Sequence, residues 1–459
     1  MKKLSRKVLP LYALAGFGPN MLNTVLTIYL VDALQKTGFV VNAESWTFAN
    51  KTIIAVFLFS ILKFIAQLVD GIIDVPFAAM TDNLKTRWGK RRPAMLMGLV
   101  PMMAAYLLFC FPLSLEENSA FNSVYFGLLL LVFYAAYTLA MVTYYGTYSE
   151  VTANEDDRFY LSNWKAFIDT VQYALAYALI PVFVGMSVNI RTIGLALAPL
   201  CLTMVLAFVL LKERSTRPQD VAGLPEEEKA QVEEDVPLME SIRLTWRNKD
   251  FMAWLALLAM FFFGLQMFLS GQNVLASGPM GLNGWQIAVI NSAAFGPVPL
   301  TLWLYRKVMK KKGFRFGFQT ALVSFAASML TMSVAYVPWI PSQIVRLAIA
   351  ATGATIGSYG IGAFLSAPYL VPAQMAADDF EKTGKNHPSM YFAIQGLFTA
   401  CVGAVSTGLV WPNLRNIVLN GNELFGAHLM PYIAAAASIA AVFVAFKLPA
   451  SFDKLGRKD

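Results

Sequence analysis

Two carboxylates, Asp70 and Asp74, stand four residues apart in an apolar run that holds no other acid. On a helix this spacing puts both on one face, about 6 Å apart. Acids so placed repel each other and are poorly hydrated, so the pair either shares a proton or holds a cation between its oxygens. That is chemistry for binding Na⁺ or H⁺, not for making bonds. Lys63, two turns away on the same face, offers simple charge neutralisation as the alternative, and so does Lys165. A second pair, Lys165 and Asp169, lies one turn apart beside Trp164, Gln172 and Tyr173. It reads either as an intrahelical ion pair or as one wall of a site for a hydroxyl-rich ligand. Gln266, Gln272, Asn273 and Gln395 add amides that could bond a ligand or hold helices together. Asp32, Glu150 and Arg346 complete the set of ionisable residues in apolar runs, each close enough to a helix end to be solvated or to snorkel.

The elements that carry these residues are membrane-spanning helices. Hydrophobic residues make up 57% of the chain and charged residues only 14%, well below soluble proteins. Apolar runs predict twelve helices, near 8–33, 52–80, 93–113, 122–149, 160–186, 192–212, 251–275, 284–308, 316–337, 341–371, 389–411 and 424–447. With both termini placed inside, 29 of the 36 Lys and Arg fall in inner segments, whereas Lys36, Lys51, Arg191 and Arg415 fall outside. This bias predicts cytoplasmic termini in a cell membrane, and it reads the net charge of +8 as topology rather than nucleic-acid binding. The first helix lacks a cleavage site and is expected to be retained. Cys110, Cys201 and Cys401 lie at unrelated spacings in apolar runs, and His387 and His428 sit in or beside loops, so neither a disulfide framework nor a resident metal is expected.

The longest polar stretch, 213–250, with Pro218, Pro225 and Pro237 and two acidic runs, reads as a cytoplasmic linker ending in an amphipathic piece, Leu238 to Trp246. The expected organisation is an N-terminal six-helix bundle (1–212), this linker, a C-terminal six-helix bundle (251–448) and a tail (449–459). The halves echo each other: helices 2 and 8 end in basic segments, and helices 4 and 10 run into acidic loops, Asn154 to Asp157 and Ala377 to Asp379. Paired repeats are a mark of transporters that work by alternating access, and the length leaves no room for a soluble catalytic domain.

Asp70-Gly-Ile-Ile-Asp74-Val-Pro76, then Asp82 and Arg87-Trp-Gly-Lys-Arg-Arg-Pro93, resembles the signature of the glycoside/pentoside/hexuronide:cation symporters, a family of the major facilitator superfamily. Segments Tyr12–Asn20, Leu238–Phe251 and Asp379–Lys385 are similar too, so the resemblance covers both halves. It implies an all-α major facilitator fold and Na⁺ or H⁺ coupling through Asp70 and Asp74 with Thr138 nearby. It also implies substrate contacts at Asn20, Met141, Tyr145 and Lys165, to which the residue reading adds Asp169 and Gln395. An inner gate of Asp82, Arg87, Lys90 and Arg91 follows from the same signature. Met141 stands where the family carries an acid, and Ala400 where relatives carry a lysine. These departures point away from an ordinary galactoside and toward another sugar or glycoside, including an anionic hexuronide or sulfonated sugar. A lysolipid carrier, an uncoupled facilitator and a non-transporting sensor are the competing readings. The expected partners are a small-molecule substrate and the bilayer, with the protein a monomer.

Overall fold

The structure is a computed structural model that describes residues 3–82, 84–153, 155–213, 215–217, 243, 245–383, 388–448 and 452. Among these residues the chain is helical, and twelve helices are long and apolar enough to cross a membrane. We number them α1 (Leu9–Leu34), α2 (Val56–Asp82), α3 (Arg91–Phe109), α4 (Ala120–Gly146), α5 (Glu155–Gly185) and α6 (Ile190–Leu210). After the linker come α7 (Lys249–Ser277), α8 (Gly284–Lys312), α9 (Phe314–Val334), α10 (Gln343–Thr383), α11 (Ile394–Leu414) and α12 (Phe425–Phe446). Most of the linker and, apart from Phe452, the tail 449–459 lie outside the described residues, as does His387.

Local sequence explains several ends. Ser119 and Asn248 cap α4 and α7, accepting from the backbone N–H of Asn122 and Phe251. Asn283 and Gln286 close a reciprocal capping box on α8. Pro76, Pro101, Pro181 and Pro431 lie inside helices that continue past them, as spanning helices permit where neighbours support the freed carbonyls.

Three boundaries differ from the sequence reading. α10 runs on through Pro368 and Pro372 to Thr383, so Asp378 and Asp379 lie on helical backbone rather than in a loop. α5 begins at Glu155, which puts Asp156 and Asp157 in its first turn, where acids complement the helix dipole. α8 is interrupted at Gly296-Pro297 and then reaches Lys312.

The chain divides into two compact units. One contains Met1–Gln35, Thr47–Ala176 and Val188–Asp235; the other contains Lys36–Trp46, Tyr177–Ser187 and Val236–Asp459. In the first, α4 packs along both α2 and α3. Gly98 makes the α3 contact possible, because a Cβ there would lie 2.6 Å from the Ala136 carbonyl oxygen. In the second, α9 packs along α10 and α12, and α7 along α12.

Candidate functional site

In the first unit, α1, α4 and α5 bring four polar side chains into one chain of hydrogen bonds. The Tyr137 hydroxyl donates to Asn20 Oδ1 at 3.0 Å, and Asn20 Nδ2 donates to Asp169 Oδ1 at 2.9 Å. The same carboxylate oxygen takes a close bond from Lys165 Nζ, one turn earlier on α5. The lysine is 6% exposed and its ammonium lies 5.5 Å from the centre of the Tyr145 ring, a cation–π distance. Gly16 makes room for it, since a Cβ there would sit 3.1 Å from Lys165 Cε. Asn20, Tyr145, Lys165 and Asp169 are thus brought together.

Tyr137 is the member that the sequence reading missed. Met141, one turn further along α4, is 3% exposed and presents almost no surface, while Tyr145, a turn beyond, is 42% exposed. The visible signal is position: Tyr137, Met141 and Tyr145 recur every four residues on one helix face. Gln172 is buried on α5, where its Nε2 donates to Thr24 Oγ1 at 3.0 Å, so that end helps join α5 to α1.

One residue along α4, Thr138 turns to α2. Its hydroxyl donates to Asp70 Oδ1 at 2.6 Å, joining two of the three residues expected at a cation. Asp74 lies on the same helix, but its side chain is outside the described set. Lys63 is buried at 1% exposure on that helix. A carboxylate and a hydroxyl oxygen are hard donors suited to Na⁺ or to a proton on the acid. Among the described residues no group of three or more His, Cys, Asp and Glu gathers. Cys110 and Cys201 are buried free thiols, and Cys401 is half-buried.

At the end of α2, Asp82 falls on an undescribed side chain. Arg87 is exposed, its guanidinium 5.0 Å from the Trp88 ring centre, and Lys90 is the residue preceding α3. The Arg91 and Arg92 backbone N–H groups both donate to the Glu213 carboxylate, at 3.0 and 2.9 Å. A linker residue therefore caps α3, which the solvated-linker reading did not anticipate.

In the second unit, both ends of the Gln395 amide are used by neighbouring helices. Trp254 Nε1 donates to its Oε1 at 2.8 Å, and its Nε2 donates to the Pro368 carbonyl at 2.9 Å. Two other residues differ from expectation. Arg346 is buried rather than snorkelling, and its guanidinium donates to the carbonyls of Met280, Ile340 and Pro341. Arg415, placed in an outer loop by sequence, is 0% exposed; it donates to the Thr37 carbonyl and lies near the Phe39 and Trp411 rings. His428 is inside α12 and stacked on Tyr336 with ring centres 3.8 Å apart.

Twelve spanning helices and a polar cluster within the spans define a multi-pass membrane transporter, not an enzyme. The chain belongs to the MFS/sugar transport protein family, whose model matches residues 11–446. It is 20% identical to an uncharacterized symporter, sll1374, of Synechocystis sp., over 84% of this chain and 81% of that one. It is 26% identical to the lactose permease of Lactobacillus helveticus over 130 residues, which are 28% of this chain and 20% of the permease. The fold is similar to crystal structures of a D-xylose–proton symporter (TM-score 0.64, 13% identity, 98% of each chain) and of the nucleoside transporter NupG (TM-score 0.63, 12% identity, 96% and 98%).

Proposed function

We propose that this transporter is a cation-coupled symporter of a hydroxyl-rich solute of the sugar or glycoside class, working by alternating access in a cell membrane with both termini cytoplasmic. The observation that carries this reading is the adjacency of Tyr137 and Thr138. One side chain ends the Asn20–Asp169–Lys165 chain, and its neighbour holds Asp70. A cation at Asp70, with Asp74 as the second acid, draws the Thr138 hydroxyl oxygen toward itself. The resulting shift of the α4 backbone is passed to Tyr137 and so to Asn20. Ion and solute then raise each other's affinity by the same factor, as linkage requires.

Asn20, Tyr137 and Asp169 offer amide, phenol and carboxylate groups to solute hydroxyls, and the exposed face of Tyr145 suits the apolar face of a sugar ring. Because Lys165 is already paired with Asp169, the cluster carries no spare positive charge. This favours a neutral glycoside over a hexuronide or sulfonated sugar. No cofactor takes part; Na⁺ or H⁺ is co-transported, and the working unit is a monomer. Asp82, Arg87, Lys90 and Arg91 remain the proposed inner gate.

A thermal-shift screen of the purified protein tests the substrate class. Neutral glycosides are expected to raise the midpoint, and the shift should be lost in Asn20→Ala. Stabilisation by lysolipids alone would replace the sugar reading with the amphipathic one.

A further inference from the structure

The segment after α6 folds back onto the loop between α2 and α3. Thr86 N–H donates to Thr216 Oγ1 at 3.0 Å, Thr216 N–H donates to the Thr86 carbonyl at 2.9 Å, and Thr216 Oγ1 donates to the Leu84 carbonyl at 2.9 Å. Gly89, at φ +87°, lets the loop turn under Glu213; a Cβ there would come within 2.4 Å of the glutamate. This pairing gathers Lys85 and Arg87 from one segment with Lys212 and Arg217 from the other, all four exposed. None of the four has an ion-pair partner among the described residues. Glu213, beside Lys212 in sequence, is turned inward onto the α3 N-terminus.

An aromatic residue completes the patch. Trp88 is 44% exposed, with the Arg87 guanidinium over its ring and a perpendicular contact with the Phe208 ring near the end of α6. Indole at the end of membrane-spanning helices is suited to the headgroup level, where its apolar body and polar N–H are both satisfied. Four exposed cations beside such an indole, without an ion-pair partner among the described residues, fit a phosphodiester whose acyl chains continue into the bilayer. A soluble anion would use the cations but not the indole.

We propose that Lys85, Arg87, Trp88, Lys212 and Arg217 form a seat for the headgroup of an anionic phospholipid. The proposal depends on the membrane placement of the helices and is independent of the transported solute. The competing explanation is that these charges serve only topology, which needs no localised site.

The full-length protein, reconstituted in nanodiscs of phosphatidylcholine and phosphatidylglycerol, is extracted gently, and retained lipid is counted by native mass spectrometry. Wild type is expected to retain phosphatidylglycerol over phosphatidylcholine. K85Q/R87Q and K212Q/R217Q should each weaken that retention by on the order of tenfold at low salt. W88A should weaken it too, but with an unchanged salt dependence. K310Q/K311Q at the end of α8, with the same loss of charge, is the control and should behave as wild type. Equal loss in the control, or no preference in wild type, would overturn the proposal. So would a thermal shift by glycerol 3-phosphate as large as that by phosphatidylglycerol, which would assign the patch to a soluble anion. The substituted side chains are exposed, so the variants are expected to remain monodisperse.

Discussion

The Thr138 hydroxyl donates to Asp70 Oδ1 at 2.6 Å. Removing it leaves the carboxylate with one fewer partner and a cation with one fewer oxygen. Thr138→Ala is therefore expected to weaken cation-dependent uptake by about tenfold, the loss of a hydrogen bond to a charged group. Half-saturating Na⁺ concentration or proton activity in vesicle uptake measures it, and an unchanged value removes Thr138 from the cation site.

Tyr137→Phe keeps the ring and removes only the hydroxyl that donates to Asn20 Oδ1. The half-saturating solute concentration should rise about two- to tenfold, with little loss of thermal stability. A simultaneous fall in cation affinity is expected because the two residues are neighbours. A variant altered in stability alone would make Tyr137 a packing residue.

Asp169→Asn strands the Lys165 ammonium, which is nearly buried and holds this carboxylate as its partner. Loss of one partner from such a pair costs about 3 kcal/mol, and Lys165→Met together with Asp169→Asn should recover much of it. Thermal unfolding of the single and double variants gives the comparison. Transport should stay low in both, because Asn20 loses its anionic acceptor.

Gln395 supplies a contrasting case. Its amide is bonded at both ends to groups of the protein, so Gln395→Leu orphans Trp254 Nε1 and the Pro368 carbonyl. A loss of about 1–3 kcal/mol in stability is expected, with solute affinity unchanged. A rise in half-saturating solute concentration at unchanged stability would return Gln395 to the substrate site.

The helices were legible because a span needs about 20 apolar residues, a condition that leaves a strong trace in hydropathy. The residues on α2 and α5 were legible because a charge inside such a run has few structural uses. What could not be read depended on distant partners. Arg415 resembles a solvated loop residue until residues 37–39 are placed over it, 378 positions away in sequence. Glu213 looks like one more linker acid, and only the fold brings it to the start of α3. Tyr137 was hidden among the aromatics of α4, whose rings mostly face other rings. The extension of α10 was missed because prolines end helices in water but not in packed spans.

The most direct test of coupling through Asp70 is uptake of a panel of radiolabelled glycosides into proteoliposomes, with Na⁺ and pH gradients imposed one at a time. The account predicts that one gradient drives accumulation above equilibrium in wild type, and that Asp70→Asn reduces this to gradient-independent equilibration. Accumulation that ignores both gradients, or that survives in Asp70→Asn, would contradict it.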